Sequence, residues 1–156
     1  MKSINDNDNN RFLYSSDSAL MQVDKIHHFL SRDSYWSPEI PKDFVERAIK
    51  HSLCFGVFDK HIDPILQVGF IRVVTDYATF AWICDVYIDK DYRNLGLSKK
   101  LMSEVMNHPG LQSLRRICLA TVGAHKLYEK FGFQVTQTPG AWMEIKDNDI
   151  YKKMNR

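Results

Sequence analysis

Two groups of residues have types and spacing that could do chemistry together. The first runs Asp85-Val86-Tyr87-Ile88, then Tyr92-Arg93-Asn94-Leu95-Gly96-Leu97-Ser98-Lys99; the second is Ala124-His125-Lys126-Leu127-Tyr128-Glu129-Lys130-Phe131-Gly132-Phe133. Arg-x-x-Gly-x-Ser after an apolar run reads as a tight turn that opens a helix. Gly96 lets the backbone approach a bulky anion and take dihedrals that a side chain would disfavour. N–H groups from about Leu95 to Lys99 then lack partners within the helix and point toward one spot. A diphosphate there would also meet the positive end of the helix dipole, with Arg93, Lys99 and Lys100 adding charge unless Lys100 simply faces water. The same pattern alone also describes an ordinary strand-to-helix turn. Tyr128 offers a phenol with an ordinary pKa of about 10, neutral at pH 7 and able to give a proton to a leaving group. It could equally cap a hydrogen bond inside the core.

Asp85 is acidic within the apolar run Phe80–Ile88, where an unpaired carboxylate is costly. It reads as a base, a proton relay or an ammonium anchor, and equally as a carboxylate satisfied by backbone or by an arginine. Tyr35-Trp36 could line an acceptor pocket or present ring faces to a cation, and they could also plug the core. The six histidines and the widely spaced Cys54, Cys84 and Cys118 form no metal constellation and no CxxC pair. We therefore expect no metal and three reduced thiols. No Ser-His-Asp or Cys-His nucleophile set is defensible either.

The elements that must position these groups follow from periodicity. Asp17 or Ser18 can cap a first helix bearing Leu20, Val23, Ile26 and Leu30. Pro38 and Pro41 break the pattern, and a second helix carries Phe44, Val45, Ala48 and Ile49 on one face. Strands are predicted at 53–58, 66–74 and 79–88, the last apolar enough to be central. A helix with Leu97, Leu101, Val105 and Met106 follows, then a strand at 116–120, a helix at 123–131 and strand-like runs at 133–135 and 142–146. The order predicts a mixed α/β (α+β) sheet, mostly antiparallel and flanked by helices.

The whole chain, 1–156, reads as one domain with a flexible start at 1–10 and a charged, loosely packed tail at 147–156. Hydrophobic content of 44% and charged content of 26% are ordinary globular values. With 21 basic and 19 acidic side chains, a net charge of +2 gives no argument for nucleic acid or a membrane surface. The polar start is no signal peptide, and no apolar run reaches the roughly 18 residues of a membrane helix. The expectation is a soluble cytoplasmic domain.

The order and spacing of the two motifs, each behind a strand, resemble the GNAT superfamily of acyl-CoA-dependent N-acyltransferases. The resemblance covers roughly residues 53–146. In that family a Gln/Arg-x-x-Gly-x-Gly/Ala turn cradles the coenzyme A pyrophosphate; Arg93 and Gly96 match it, and the small Ser98 stands where glycine or alanine is usual. The preceding strand, here Val86-Tyr87-Ile88, offers backbone groups to the pantetheine arm, and a tyrosine matched by Tyr128 protonates the departing thiolate. Thr121 replaces an asparagine often found before the helix alanine. The resemblance implies acetyl-CoA as co-substrate, held by 86–88, by 93–99 and by Thr121. The resemblance is silent on the acceptor; we expect a small-molecule primary amine, attacked directly in a ternary complex. The N-terminal helices would supply the acceptor site, and a homodimer is compatible with this reading. A non-catalytic acyl-CoA-binding module and a peptide or protein N-acetyltransferase are the rival readings.

Overall fold

Five strands, β1 (Phe12–Ser15), β2 (Leu53–Asp59), β3 (Leu66–Thr75), β4 (Phe80–Ile88) and β5 (Arg116–Leu119), form one sheet in chain order in the computed structural model, which describes residues 10–155. Neighbours pair antiparallel except β4 and β5, which run parallel. A parallel pair needs a crossover, and α3 (Leu97–Met106) supplies it. Strands β2 to β4 read as nearly unbroken apolar runs because both faces of the sheet are covered.

Alternate side chains enter two separate cores. Phe55, Val57, Val68, Ile71, Val73 and Ile83 meet Leu97, Leu101, Met102 and Val105 of α3, with Tyr128 of α4 (His125–Glu129). On the other face, Cys54, Phe58, Phe70 and Tyr87 meet Ile26 of α1 (Val23–His28) and Val45 and Ile49 of α2 (Lys42–Lys50). The apolar face expected of α2 is the one that packs, because helical spacing fixes which residues share a side.

Three departures from the sequence reading have physical causes. Asp17 does cap, accepting the Ala19 N–H, but only over a short 3-10 turn at Ser18–Leu20, and α1 begins at Val23. No strand forms after Phe133 among the described residues, so the expected runs at 133–135 and 142–146 do not extend the sheet. Met143 and Ile145 stay fully exposed and gain no burial, while Pro139 lacks an N–H to donate. The charged tail, by contrast, packs: α5 (Ile150–Met154) sets Tyr151 edge-on to Phe44, and Asn155 donates to the Glu39 carbonyl at 3.0 Å. The start at 1–9 lies outside the described residues.

Candidate active site

β4 and β5 pair only where Phe80–Ile83 faces Arg116–Leu119. Beyond Ile83, β4 continues while the chain leaves β5, so the two strands part. The opening is a cleft of about 670 Å³, lined by Tyr35, Trp36, Asp85, Val86, Thr121 and Tyr128 among others. Residues from four distant parts of the chain thus share one space.

A β-bulge shapes the β4 wall. Phe70 pairs with Tyr87 and Arg72 with Cys84, so Ile71 alone faces both Asp85 and Val86. Asp85 takes a φ of +53°, a left-handed conformation uncommon for a residue with a Cβ. Its carboxylate holds this geometry from both sides. Arg72 Nε donates to Oδ2 at 2.6 Å, and Trp36 Nε1 donates to Oδ1 at 2.9 Å. The arginine partner expected for Asp85 in one of its two sequence readings is present in the fold as Arg72. Burial opposes the charge on Arg72, but Asp85, together with Cys84 and Cys54, outweighs it and raises the guanidinium above its ordinary value. Arg72 also donates to Ser52 Oγ at 3.2 Å.

Tyr128, 7% exposed, packs edge-on against Phe133 with ring centroids 6.0 Å apart. Burial, with a smaller contribution from Tyr35, raises its pKa above the ordinary value of 10.0; no hydrogen bond contributes. The phenol therefore stays protonated. Thr121 Oγ1 accepts the Ala124 N–H at 3.0 Å, ordering the approach to α4. Trp36 leans on Phe29, which stacks on Tyr87 at 3.9 Å. Tyr87 is buried and its hydroxyl has no partner, so burial raises that phenol too.

The residues from Tyr87 to Lys99 do not line this cleft. They lie further along, where β4 ends and α3 begins. Tyr87 and Ile88 send their side chains into the two cores, leaving only backbone for a ligand. Arg93 Nε donates to the Ile88 carbonyl at 3.1 Å and closes the turn. Asn94 has φ +63° and Gly96 φ +76°, which curls the chain into the N-terminus of α3. The Lys100 N–H bonds to the Gly96 carbonyl, so Leu97, Ser98 and Lys99 have no N–H partners within the helix. A Cβ built on Gly96 would meet no atom within 4 Å, so the turn itself is open to solvent. Three such donors on one turn could hold a diphosphate. Lys100 instead sits over the Tyr14 ring at 4.9 Å.

Sequence reasoning missed Arg72, Trp82 and Lys146. Arg72 had a signal: a lone cation within the apolar run of β3, which a hairpin brings beside Asp85. Trp82 looked like any strand aromatic, and Lys146 depends on the path of the last segment. Among the described residues no cluster of three potential metal ligands occurs.

A family model for the acetyltransferase (GNAT) domain matches residues 51–135. A Gibberella zeae protein assigned to the acetyltransferases is 32% identical over 136 residues, 76% of each chain. An uncharacterised N-acetyltransferase of Porphyra purpurea is 31% identical over 116 residues, 73% of this chain and 60% of that protein. The crystal structure of a Xanthomonas campestris protein assigned to the same GNAT group superposes with a TM-score of 0.84. It is 45% identical, over 90% of this chain and 96% of that one.

Proposed function

The chain belongs to the GNAT acetyltransferase family, and from that premise we propose that it moves an acetyl group from acetyl-CoA to the primary amine of a small molecule by direct attack in a ternary complex. The observation that carries this reading is a protonated phenol, Tyr128, in the same cleft as the bulged segment of β4. Acetyl-CoA, when bound, supplies the acetyl carbon, whose bond to sulfur breaks as its bond to the amine nitrogen forms. The N–H groups of Leu97 to Lys99 hold the diphosphate, and the backbone of Val86 to Ile88 lies along the path from there to the cleft. Bulge backbone N–H groups donate to the carbonyl oxygen as negative charge grows on it. Tyr128 gives its hydroxyl proton to the departing sulfur and regains one from water.

The amine must lose a proton to attack. An alkylamine near pKa 10.4 is only about one part in 2,500 neutral at pH 7. Arg72 and Trp36 already occupy both oxygens of Asp85. We therefore assign Asp85 the positioning of Trp36 and of the bulge, and let the amine proton leave to solvent. Cys84 also lines the cleft, yet burial pushes its thiol up to about 12, so at neutral pH it is no nucleophile. That supports direct attack over an acyl-cysteine. The N-acetyltransferase designation of the Porphyra relative supports nitrogen as the acceptor.

The test is thiol release from acetyl-CoA over a panel of primary amines. Amine-dependent release is expected. Tight coenzyme binding with no release for any amine would instead leave an acyl-CoA-binding module.

A further inference from the structure

Charge in the cleft argues for one class of acceptor. Asp85 is its one carboxylate among the described lining residues, and Arg72 pairs with it at 2.6 Å. Lys146, exposed at the rim, adds a positive charge. A second ammonium held within this cleft would meet Lys146 with no free carboxylate in the lining to offset it, since Glu129 belongs to the adjoining cavity beyond Tyr128. Four rings, Tyr35, Trp36, Trp82 and Tyr128, share the rest of the lining with small and aliphatic residues of 83–86 and 120–124. Trp36 is fixed by its bond to Asp85 and by the Phe29 ring 6.0 Å away. Tyr35 stands edge-on to Trp36 at 5.0 Å and is 68% exposed, and Trp82 lines the same cleft. Ring faces fixed in this way accept another ring by burial and by offset or edge contacts.

We propose that the acceptor is an aromatic monoamine, a primary amine on a short chain attached to an aromatic ring. This rests on the acetyl-transfer reading and narrows it. The amine nitrogen bonds to the acetyl carbon, the carbon–sulfur bond breaks, solvent takes the amine proton and Tyr128 protonates the sulfur.

Thiol release is measured with 2-phenylethylamine, tryptamine, spermidine and an aminoglycoside. The aromatic monoamines should exceed both polycations in kcat/KM by at least about tenfold, the ratio that roughly 1.4 kcal/mol produces. Tyr35→Ala, at an exposed position that leaves the cores untouched, should raise KM for 2-phenylethylamine about tenfold. Its dissociation constant for acetyl-CoA should stay at the wild-type value. Equal or better turnover of either polycation overturns the aromatic monoamine while leaving acetyl transfer standing. An unchanged KM in Tyr35→Ala overturns it as well. No release with any amine, while acetyl-CoA still binds, overturns acetyl transfer itself and this inference with it.

Discussion

Tyr128 keeps its proton because burial leaves a phenolate poorly solvated, and that same proton is what a departing thiolate needs. Replacing it with phenylalanine preserves the ring and its edge contact with Phe133 but removes the donor. Tyr128→Phe should lower kcat by roughly 10²–10⁴-fold, the range of general acid catalysis. Its acetyl-CoA dissociation constant, measured by calorimetry, should stay near the wild-type value. A kcat close to wild type would hand the protonation to water. The sign of the pH dependence follows from the same shift. A phenol raised above 10.0 stays protonated through pH 9, while the amine becomes increasingly neutral. The wild-type rate should therefore climb with pH to at least about 9, without a falling limb from the tyrosine. A fall beginning below pH 9 would mean that another group controls the step.

At the scale of elements, the junction of β4 with α3 matters most. Its two left-handed residues, Asn94 and Gly96, aim the helix N-terminus at the space where a diphosphate would sit. Gly96→Val would put a β-branched residue at φ +76°, where a side chain costs roughly 1–2 kcal/mol. Its Cβ would meet no atom within 4 Å, so the cost is one of backbone conformation, and a shifted turn would misplace the helix N–H groups. A loss of only a few degrees in melting temperature is expected, since about 1 kcal/mol moves a chain of this size by roughly 2–4 °C. Acetyl-CoA affinity should fall far more, by about tenfold or beyond, in a titration of the folded variant. Wild-type affinity would move the phosphate site elsewhere. The β4 bulge is the counterpart of this junction on the strand side. It needs the Arg72–Asp85 pair from two strands and Trp36 from a loop, so no single element builds it.

At the scale of the molecule, one buried carboxylate ties three parts of the chain. Asp59 ends β2, is fully buried, and accepts from Arg11 at 2.6 Å and from the Tyr92 hydroxyl at 3.1 Å. It thereby joins the residue before β1 to the turn before α3. The Arg11 bonds, helped by the His61 N–H and by Tyr92, lower its pKa from 3.8 to about 2, against the opposing effect of burial. A carboxylate depressed in the folded state stabilises above its unfolded pKa and loses that contribution as pH falls through the folded one. Wild type should accordingly melt higher than Asp59→Asn at pH 6, with the gap closing between about pH 4 and 2. A gap independent of pH would show that the ion pair adds nothing beyond packing.

Periodicity and turn chemistry determined much of this protein from the sequence alone. The apolar face of α2, the crossover helix at Leu97–Met106, the strand β4 and the Gly96 turn are local properties, set by spacing and by one backbone conformation, whereas the place expected of β4 at the centre of the sheet falls to β3. Tyr128 and Asp85 were visible as residues whose chemistry needed explaining. Their relation was not, because it depends on contacts between positions far apart in the chain. Only the tertiary structure decided that Asp85 pairs with Arg72 across a hairpin and that Trp36 reaches it from a loop 49 residues earlier. It also decided that the segment after Phe133 stays outside the sheet: strand propensity without burial gains too little to hold a strand there. Sequence fixes which side chains share a face, while the parting of β4 and β5 fixes which of them share a cleft.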